Sequence, residues 1–181
     1  MRLLPWILAV MWLAARYVAR QFMSIENAQS FGVLSNILII VILIFLAIYN
    51  KYKSVGAERP TYFEDFKYCM KVAMNYVIGA IAAILLYYGL LTRDIDDKRQ
   101  SSMEAFAIAI STDDGLAQCK VQWPQYALKT REQILDSKRS DVETFLSVQV
   151  QVIGGLLALT MVSIVYALLA VFFWRSIVRK I

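Results

Sequence analysis

The chain has 181 residues, of which 59% are hydrophobic, whereas an ordinary soluble domain is about 45–50% apolar. Its formal net charge is +5, but the sequence contains no run of more than two consecutive Lys or Arg residues. The absence of a basic cluster argues against a nucleic-acid partner. Histidine is absent, and this excludes the commonest general base, the HExxH zinc helix and imidazole ligation of haem. We therefore predict a non-enzymatic membrane protein with no metal and no cofactor.

The first apolar block runs from Leu3 to about Val18. It contains two tryptophans and Arg16, which is untypical of a cleaved signal peptide, so we predict an uncleaved first transmembrane helix. Because Arg16 lies near the far end of this helix, its long side chain is expected to reach the lipid head groups.

A short polar stretch, residues 21–30, leads into the second block, Phe31–Tyr49, which is the most strongly apolar segment of the chain. Nineteen apolar residues are too long for a strand, and in lipid a helix satisfies its own backbone hydrogen bonds. We predict a second span here. Asn36 is expected to hydrogen-bond to a neighbouring helix or to interfacial water.

The loop Asn50–Pro60 is basic and is assigned to the cytoplasm, because positive residues collect in cytoplasmic loops. Thr61 follows it, with Glu64 three residues later, a capping-box pattern that predicts the start of a helix. This helix is expected to begin at the membrane surface and to continue as the third span to Leu91.

Residues 92–143 are polar, with eight basic and ten acidic side chains, and are predicted to form a small helical extracytoplasmic cap. Two amphipathic helices are expected there, separated by the turn signal Asp113-Asp114-Gly115 and by Pro124. Asp94, Asp96 and Asp97 resemble a metal cluster but lack EF-hand spacing, so they are interpreted as an acidic helix N-terminus.

The last apolar block, Phe145 to Trp174, predicts a fourth span that continues directly from the final helix of the cap. Gln149 and Gln151 then lie at the wet end of that span, where they are candidate polar contacts together with Asn36 and Asn75. The predicted fold is an all-α integral membrane protein with four transmembrane helices. Its parts are 1–49 (two spans), 50–60 (cytoplasmic loop), 61–91 (third span), 92–143 (cap) and 144–181 (fourth span and tail).

Two groups of residues are singled out within this layout. Small residues one turn apart, which allow close approach of helices, predict packing of the third span against the fourth. These are Gly79, Ala83, Gly154 and Ala158. Basic residues expected to contact lipid head groups or to set the topology are Lys51, Lys53, Arg59, Lys67, Lys71, Arg175, Arg179 and Lys180.

The layout also resembles a known family. Two closely spaced N-terminal spans, the entry Tyr62-Phe63-Glu64-Asp65-Phe66-Lys67 into the third span, a helical segment and a final span are similar to the domain of unknown function 4199 family. The resemblance implies a small bacterial inner-membrane protein, found mostly in Bacteroidota, with no known catalytic residues. Both termini are expected in the cytoplasm and residues 92–143 in the periplasm.

Three functions compete at this point. The favoured one is a non-enzymatic accessory subunit or scaffold of a membrane complex, whose partners are the phospholipid bilayer and other membrane subunits or a second copy. The alternative is a small-solute transporter or channel, which would need a polar path built from Asn36, Asn75, Thr160, Ser163 and Tyr166. A membrane enzyme would have to use acidic residues of the cap, such as Asp94, Asp97 or Glu104.

Overall fold

A computed structural model describes residues 3–55 and 61–176, which are almost entirely helical. No β-strand occurs within those two ranges, so the all-α prediction is confirmed. The helices are α1 (Leu4–Phe22), α2 (Ile25–Val55), α3 (Tyr62–Leu86), α4 (Asp94–Ala109), α5 (Asp113–Gln122), α6 (Arg131–Phe145) and α7 (Val148–Ser176). A π-helical turn, Tyr87–Leu91, follows α3, and a short 3₁₀ helix, Pro124–Tyr126, precedes α6.

The chain divides into two compact units. The membrane unit consists of Met1–Leu91 and Val152–Ile181, and the polar unit consists of Thr92–Gln151. The polar unit thus extends to Gln151, beyond the predicted boundary at residue 143, and it has a core of its own. The buried members of that core are Ile110, Cys119, Tyr126 and Ile134.

Three helices of the described chain are long and apolar enough to cross a membrane: Ile25–Lys53, Tyr62–Leu91 and Val148–Ser176. The prediction that the chain is a membrane protein is therefore supported at three of the four expected spans. The remaining one, α1, has 19 residues and carries Arg16 and Arg20, which lower its mean hydropathy.

The core of the membrane unit combines large aliphatic residues of α2 with small residues of α3 and α7. Ile40, Leu43, Ile44 and Ile48 of α2 are completely buried. They pack in the same core as alanines, whose small side chains allow the helix backbones to approach closely. Those alanines are Ala73 and Ala80 of α3 and Ala167 and Ala170 of α7.

Gly79 packs against α1, so the small residues predicted to join α3 to α7 are corrected. A Cβ atom on Gly79 would lie 3.0 Å from the Ala9 Cβ and 3.3 Å from the Trp6 ring, so this close approach requires glycine. A Cβ on Gly154 would meet no described residue within 4 Å. The contact that α7 does make with α3 uses Gly155, where a Cβ would lie 3.4 Å from Ile84.

The start of α3 is confirmed in detail. The Thr61 hydroxyl accepts a hydrogen bond from the Glu64 backbone N–H, and the Glu64 carboxylate accepts one from the Thr61 backbone N–H. These reciprocal bonds satisfy two donors that a helix start leaves without a partner. The helix continues to Leu91, as predicted, and its last turn, Tyr87–Leu91, is π-helical.

Three helix boundaries in the polar unit differ between the sequence prediction and the structure. Asp113 and Asp114 form the first turn of α5, capped by the Thr112 hydroxyl, and do not form a separate turn. The segment after Pro124 is divided, since α6 begins only at Arg131. The helix break at Leu146 and Ser147 separates α6 from α7, so the predicted continuous helix into the last span is wrong.

Candidate functional site

A buried carboxylate joins three helices of the membrane unit. Asp65 of α3 is 0% exposed, and its Oδ1 lies 2.8 Å from the Lys51 Nζ of α2. Its Oδ2 accepts hydrogen bonds from the Tyr52 hydroxyl at 2.8 Å and from the Arg175 Nε and Nη2 of α7 at 2.8 and 2.6 Å. We call Asp65, Lys51, Tyr52 and Arg175 the Asp65 cluster.

The Asp65 cluster is stable because every strong charge in it has a partner. A buried carboxylate is costly unless it is paired and hydrogen-bonded, and here both oxygens accept charge-assisted bonds. The Lys51 and Arg175 side chains are only 14% and 23% exposed, so water screens the pairs weakly. The cluster therefore ties α2, α3 and α7 together at one end of the membrane unit.

Aromatic rings cover the same end of the helices. The Trp174 ring of α7 contacts Tyr49 and Tyr52 of α2, with centroid distances of 6.1 and 5.7 Å. The Arg175 guanidinium lies 5.8 Å from the centre of the Tyr62 ring. These rings limit water access to the Asp65 cluster and are of the type that collects at membrane surfaces.

The basic residues predicted to meet head groups fall into two sets. Lys53, Lys67 and Lys71 are exposed, as a head-group contact requires. Lys51 and Arg175 instead direct their charges to Asp65. Three further members of the predicted set, Arg59, Arg179 and Lys180, lie outside the described residues.

Arg16 forms a second buried centre and does not reach the head groups as expected. It is 4% exposed, and its Nη2 donates a hydrogen bond to the Tyr88 hydroxyl. Its guanidinium carbon lies 5.3 Å from the Trp12 ring, 4.4 Å from the Tyr87 ring and 4.9 Å from the Tyr88 ring. Among the described residues no carboxylate pairs with Arg16, so aromatic faces supply the negative potential.

Two backbone features build the Arg16 centre. In an α-helix, consecutive side chains point about 100° apart, so neighbours in sequence rarely contact the same group. The π-helical turn that begins at Tyr87 changes this spacing, and Tyr87 and Tyr88 both contact the Arg16 guanidinium. Gly32 of α2 leaves room for the arginine, because a Cβ there would lie 2.9 Å from the Arg16 Nη1. The Trp12 indole is fixed by its hydrogen bond to the Gly32 carbonyl at 2.9 Å.

Two of the polar residues considered within the spans, Asn36 and Ser163, already have hydrogen-bond partners. The Tyr76 hydroxyl donates to the Asn36 Oδ1 within the core, and the Ser163 hydroxyl donates to the Leu159 carbonyl one turn earlier. Asn75 is half-buried on α3. Gln149 is exposed and Gln151 is half-buried, and both lie in the first turn of α7.

The outward surface of α7 contains the small residues that were expected to pack against α3. Exposed residues recur there at alternating spacings of four and three, which places them along one face of the helix. They are Gly154, Ala158, Met161, Val165, Leu168 and Phe172, which we call the α7 outer face. Of the three candidate spans in the described chain, this helix is the least buried. Only 28% of its most apolar stretch is buried within the protein.

Sequence reasoning missed both charged centres. Asp65 was considered only as part of the α3 entry motif, although an acidic residue at a span entry, preceded by a lysine-bearing loop, suggests an ion pair. Arg16 has no comparable signal, since its burial depends on the π-helical turn and on Gly32. Comparisons of the chain with family models, curated proteins and solved structures give no match.

Proposed function

We propose that this chain is a non-enzymatic accessory subunit of a bacterial inner-membrane complex, and that its α7 outer face packs against a transmembrane helix of a second polypeptide. The observation that carries the proposal is the open side of Gly154. A glycine within a helix costs about 0.5–1 kcal/mol relative to alanine, and none of the residues that the structure describes lies near enough to Gly154 to require it. A close helix contact with a partner gives the residue a structural role.

Shape and chemistry of the α7 outer face fit such a partner. Lipid chains are as apolar as leucine, so membrane helices associate through close van der Waals packing at small residues. Gly154 and Ala158 provide the small positions, and Met161, Val165 and Phe172 provide side chains that can pack around another helix. A charged partner surface is not needed, because this face carries no charged side chain.

Four spans form part of the proposal, with α1 as the fourth. The Arg16 charge is covered by aromatic rings, so it does not face lipid. Most of the exposed residues of α1 are large and apolar, as a lipid-facing surface requires. They are Trp6, Ile7, Val10, Met11, Tyr17, Val18 and Phe22. In this topology both termini are cytoplasmic and the polar unit is periplasmic.

The transport alternative receives less support. A polar path needs several polar side chains around a shared space, and Asn36 is instead bonded to Tyr76 while Ser163 is bonded to its own helix. The two buried charged residues in the described part of the membrane unit are similarly engaged, Asp65 with two cations and Arg16 with three rings.

The test is purification of the tagged protein from native membranes in mild detergent, followed by size exclusion and mass spectrometry. The wild type is expected to retain a stoichiometric companion. Gly154→Leu places a large side chain on the α7 outer face, and recovery of the companion should fall about fivefold or more, the equivalent of about 1 kcal/mol.

Ala82→Leu is the matched control, because Ala82 is an exposed small residue on a different span, α3. This variant should retain the companion at the wild-type level. Recovery of the wild type as a lone monomer in every detergent tested, or full retention of the companion by Gly154→Leu, would contradict the proposal. A second copy of the chain as the companion would make the complex a homo-oligomer.

A further inference from the structure

The polar unit contains a groove that the proposed function does not use. It has a volume of about 380 Å³, which is within the range of small-molecule sites. Its walls come from α4, α6 and the segment around the 3₁₀ helix. The aromatic, apolar and charged side chains that line it include Phe106, Trp123, Lys138, Asp141, Phe145 and Leu146.

Opposite charges stand on one wall of the groove. Lys138 and Asp141 are three residues apart on α6, so they lie on the same side of that helix about one turn apart. The Lys138 Nζ lies 5.3 Å from the centre of the Phe106 ring, and within the described chain no carboxylate is within ion-pair distance of it. Asp141 is exposed and lies beside the Tyr126 hydroxyl.

The Lys138 ammonium is therefore available to a ligand, and the Asp141 carboxylate, which accepts a hydrogen bond from Tyr126, has further lone pairs for a second donor. An ammonium that is not paired with a carboxylate can bind a phosphate, and the Asp141 carboxylate can bind a cationic group at the distance of one helical turn. The buried environment of Tyr126 raises the pKa of its phenol, and the adjacent Asp141 acts in the same direction. Tyr126 is consequently neutral at physiological pH and adds no second negative charge to this wall.

The groove also has exposed apolar side chains in its lining. Phe145 is 68% exposed and Trp123 is 46% exposed, and Leu146 lines the groove with them. Exposed aromatic residues beside a groove are typical of a site for an amphipathic ligand, with one polar end and one apolar end.

The covalent chain places Phe145 and Leu146 close to the start of a candidate span. Leu146 precedes α7 by the single residue Ser147, and α7 is long and apolar enough to cross a membrane. Two Cα–Cα steps cover at most about 8 Å, so Leu146 lies within that distance of the first residue of α7.

We propose that this groove binds the head group of a zwitterionic phospholipid, with Lys138 contacting the phosphate and Asp141 contacting the ammonium group. Trp123 and Phe145 pack against the glycerol and the first methylene groups. The charged pair and Phe145 all lie on α6, with Phe145 four residues after Asp141, about one turn closer to α7.

The test uses the full chain purified in detergent and isothermal titration with short-chain lipids. Dihexanoyl phosphatidylethanolamine is compared with dihexanoyl phosphatidylglycerol, which has the same chains and phosphate but no ammonium group. The zwitterionic lipid is expected to bind at least about fivefold more tightly. Phosphoethanolamine alone, which has no acyl chains, is expected to bind more weakly than either lipid.

Charge-specific variants identify the two contacts. Asp141→Asn should abolish the preference for the zwitterionic lipid, and Lys138→Gln should weaken both lipids about fivefold. Asp136→Asn and Lys120→Gln are the matched controls, since neither residue lines the groove, and both should bind like the wild type.

Three outcomes would overturn the proposal. Equal affinity of the wild type for the two lipids would exclude recognition of the ammonium group, and this comparison needs no variant to fold. An unchanged preference in Asp141→Asn would exclude the assigned contact. Binding of phosphoethanolamine as tight as that of the lipid would show that a free solute, and not a phospholipid, is the ligand. None of these results depends on whether α7 binds a partner helix.

Discussion

The short side chain of Asp65 connects three helices of the membrane unit. Its two oxygens accept hydrogen bonds from α2 and from α7, while the residue itself belongs to α3. A single carboxylate at the helix ends thus fixes the relative positions of three helices. Hydrophobic contacts alone do not have this directionality, because apolar packing tolerates rotation and sliding of helices more readily than paired charges do.

We predict that Asp65→Ala lowers the free energy of unfolding by about 3 kcal/mol. The substitution leaves the Lys51 and Arg175 charges mostly buried without their carboxylate, which is more costly than loss of the pair itself. Denaturant unfolding of the purified protein in detergent micelles measures the change. A loss below about 0.5 kcal/mol, the value typical of a surface ion pair, would contradict the assigned role.

Asp96→Asn provides the control for this prediction. Asp96 pairs with Arg99 at 3.2 Å on the surface of α4, where its side chain is 69% exposed. Removal of its charge should change stability by no more than about 0.5 kcal/mol.

Side-chain placement was only partly predictable from sequence at this scale. The hydrogen bond of Asn36 to a neighbouring helix was expected, since an amide in a span needs a partner. Lys51 and Arg175 were predicted to contact lipid head groups because they are basic residues near the ends of spans. In the structure both side chains pair with Asp65 instead. Arg175 pairs with Asp65, which lies 110 positions earlier in the sequence. No local sequence pattern predicts a contact between residues so far apart in the chain.

Helix starts are specified locally in this chain. Thr61 and Glu64 form the predicted capping box of α3, and Thr130 and Gln133 form a second one at α6 that obeys the same sequence rule. Both can be read from four consecutive residues because each hydrogen bond spans only three positions.

We predict that Thr130→Ala destabilises the polar unit by about 1 kcal/mol. The substitution removes the hydroxyl that accepts from the Gln133 backbone N–H, and the reciprocal bond from the Thr130 N–H to the Gln133 side chain is weakened with it. Hydrogen–deuterium exchange should quicken in the first turn of α6. The same exchange measured at the start of α3 is the internal control and should remain at the wild-type rate.

Two irregular features of the backbone were not predicted. The π-helical turn Tyr87–Leu91 and the break at Leu146 and Ser147 both fall within apolar or mixed sequence that contains no proline. The packing of Tyr87 and Tyr88 on Arg16 illustrates that tertiary contacts decide such a backbone. The third helix does continue to Leu91, as predicted, whereas the predicted continuous passage into α7 is wrong.

For the whole molecule, composition and block length led to the correct fold class and to three spans. The apolar blocks are long, and lipid admits few structures other than helices, so physical constraints replace detailed pattern recognition. The count of four spans depends on α1, whose two arginines reduce the hydropathy signal. Only the structure explains how one of these arginines can be accommodated, since Arg16 is covered by rings.

The four-span topology predicts a pattern of cysteine labelling in intact cells. Leu3→Cys and Lys53→Cys should be protected from a membrane-impermeant maleimide, whereas Ser24→Cys and Leu128→Cys should react. All four positions are exposed in the structure, so accessibility reports the side of the membrane. The native Cys69 and Cys119 are buried, and the unmodified chain should give little background.

Permeabilised cells provide the control, since all four variants should then react. A chain with only three spans would place α1 on the periplasmic side. Leu3→Cys would in that case be labelled in intact cells together with Ser24→Cys, and the proposal that α1 crosses the membrane would be wrong.

The long separation of Asp65 from Arg175 also orders events during biosynthesis. At about 5–20 residues per second, the ribosome delivers Arg175 roughly 5–20 s after Asp65, because 110 positions separate them. During this interval Lys51 and Tyr52 are the partners already synthesised. Arg175 lies near the C-terminal end of α7, so a chain that stops before this residue keeps an Asp65 carboxylate that lacks its partner from α7.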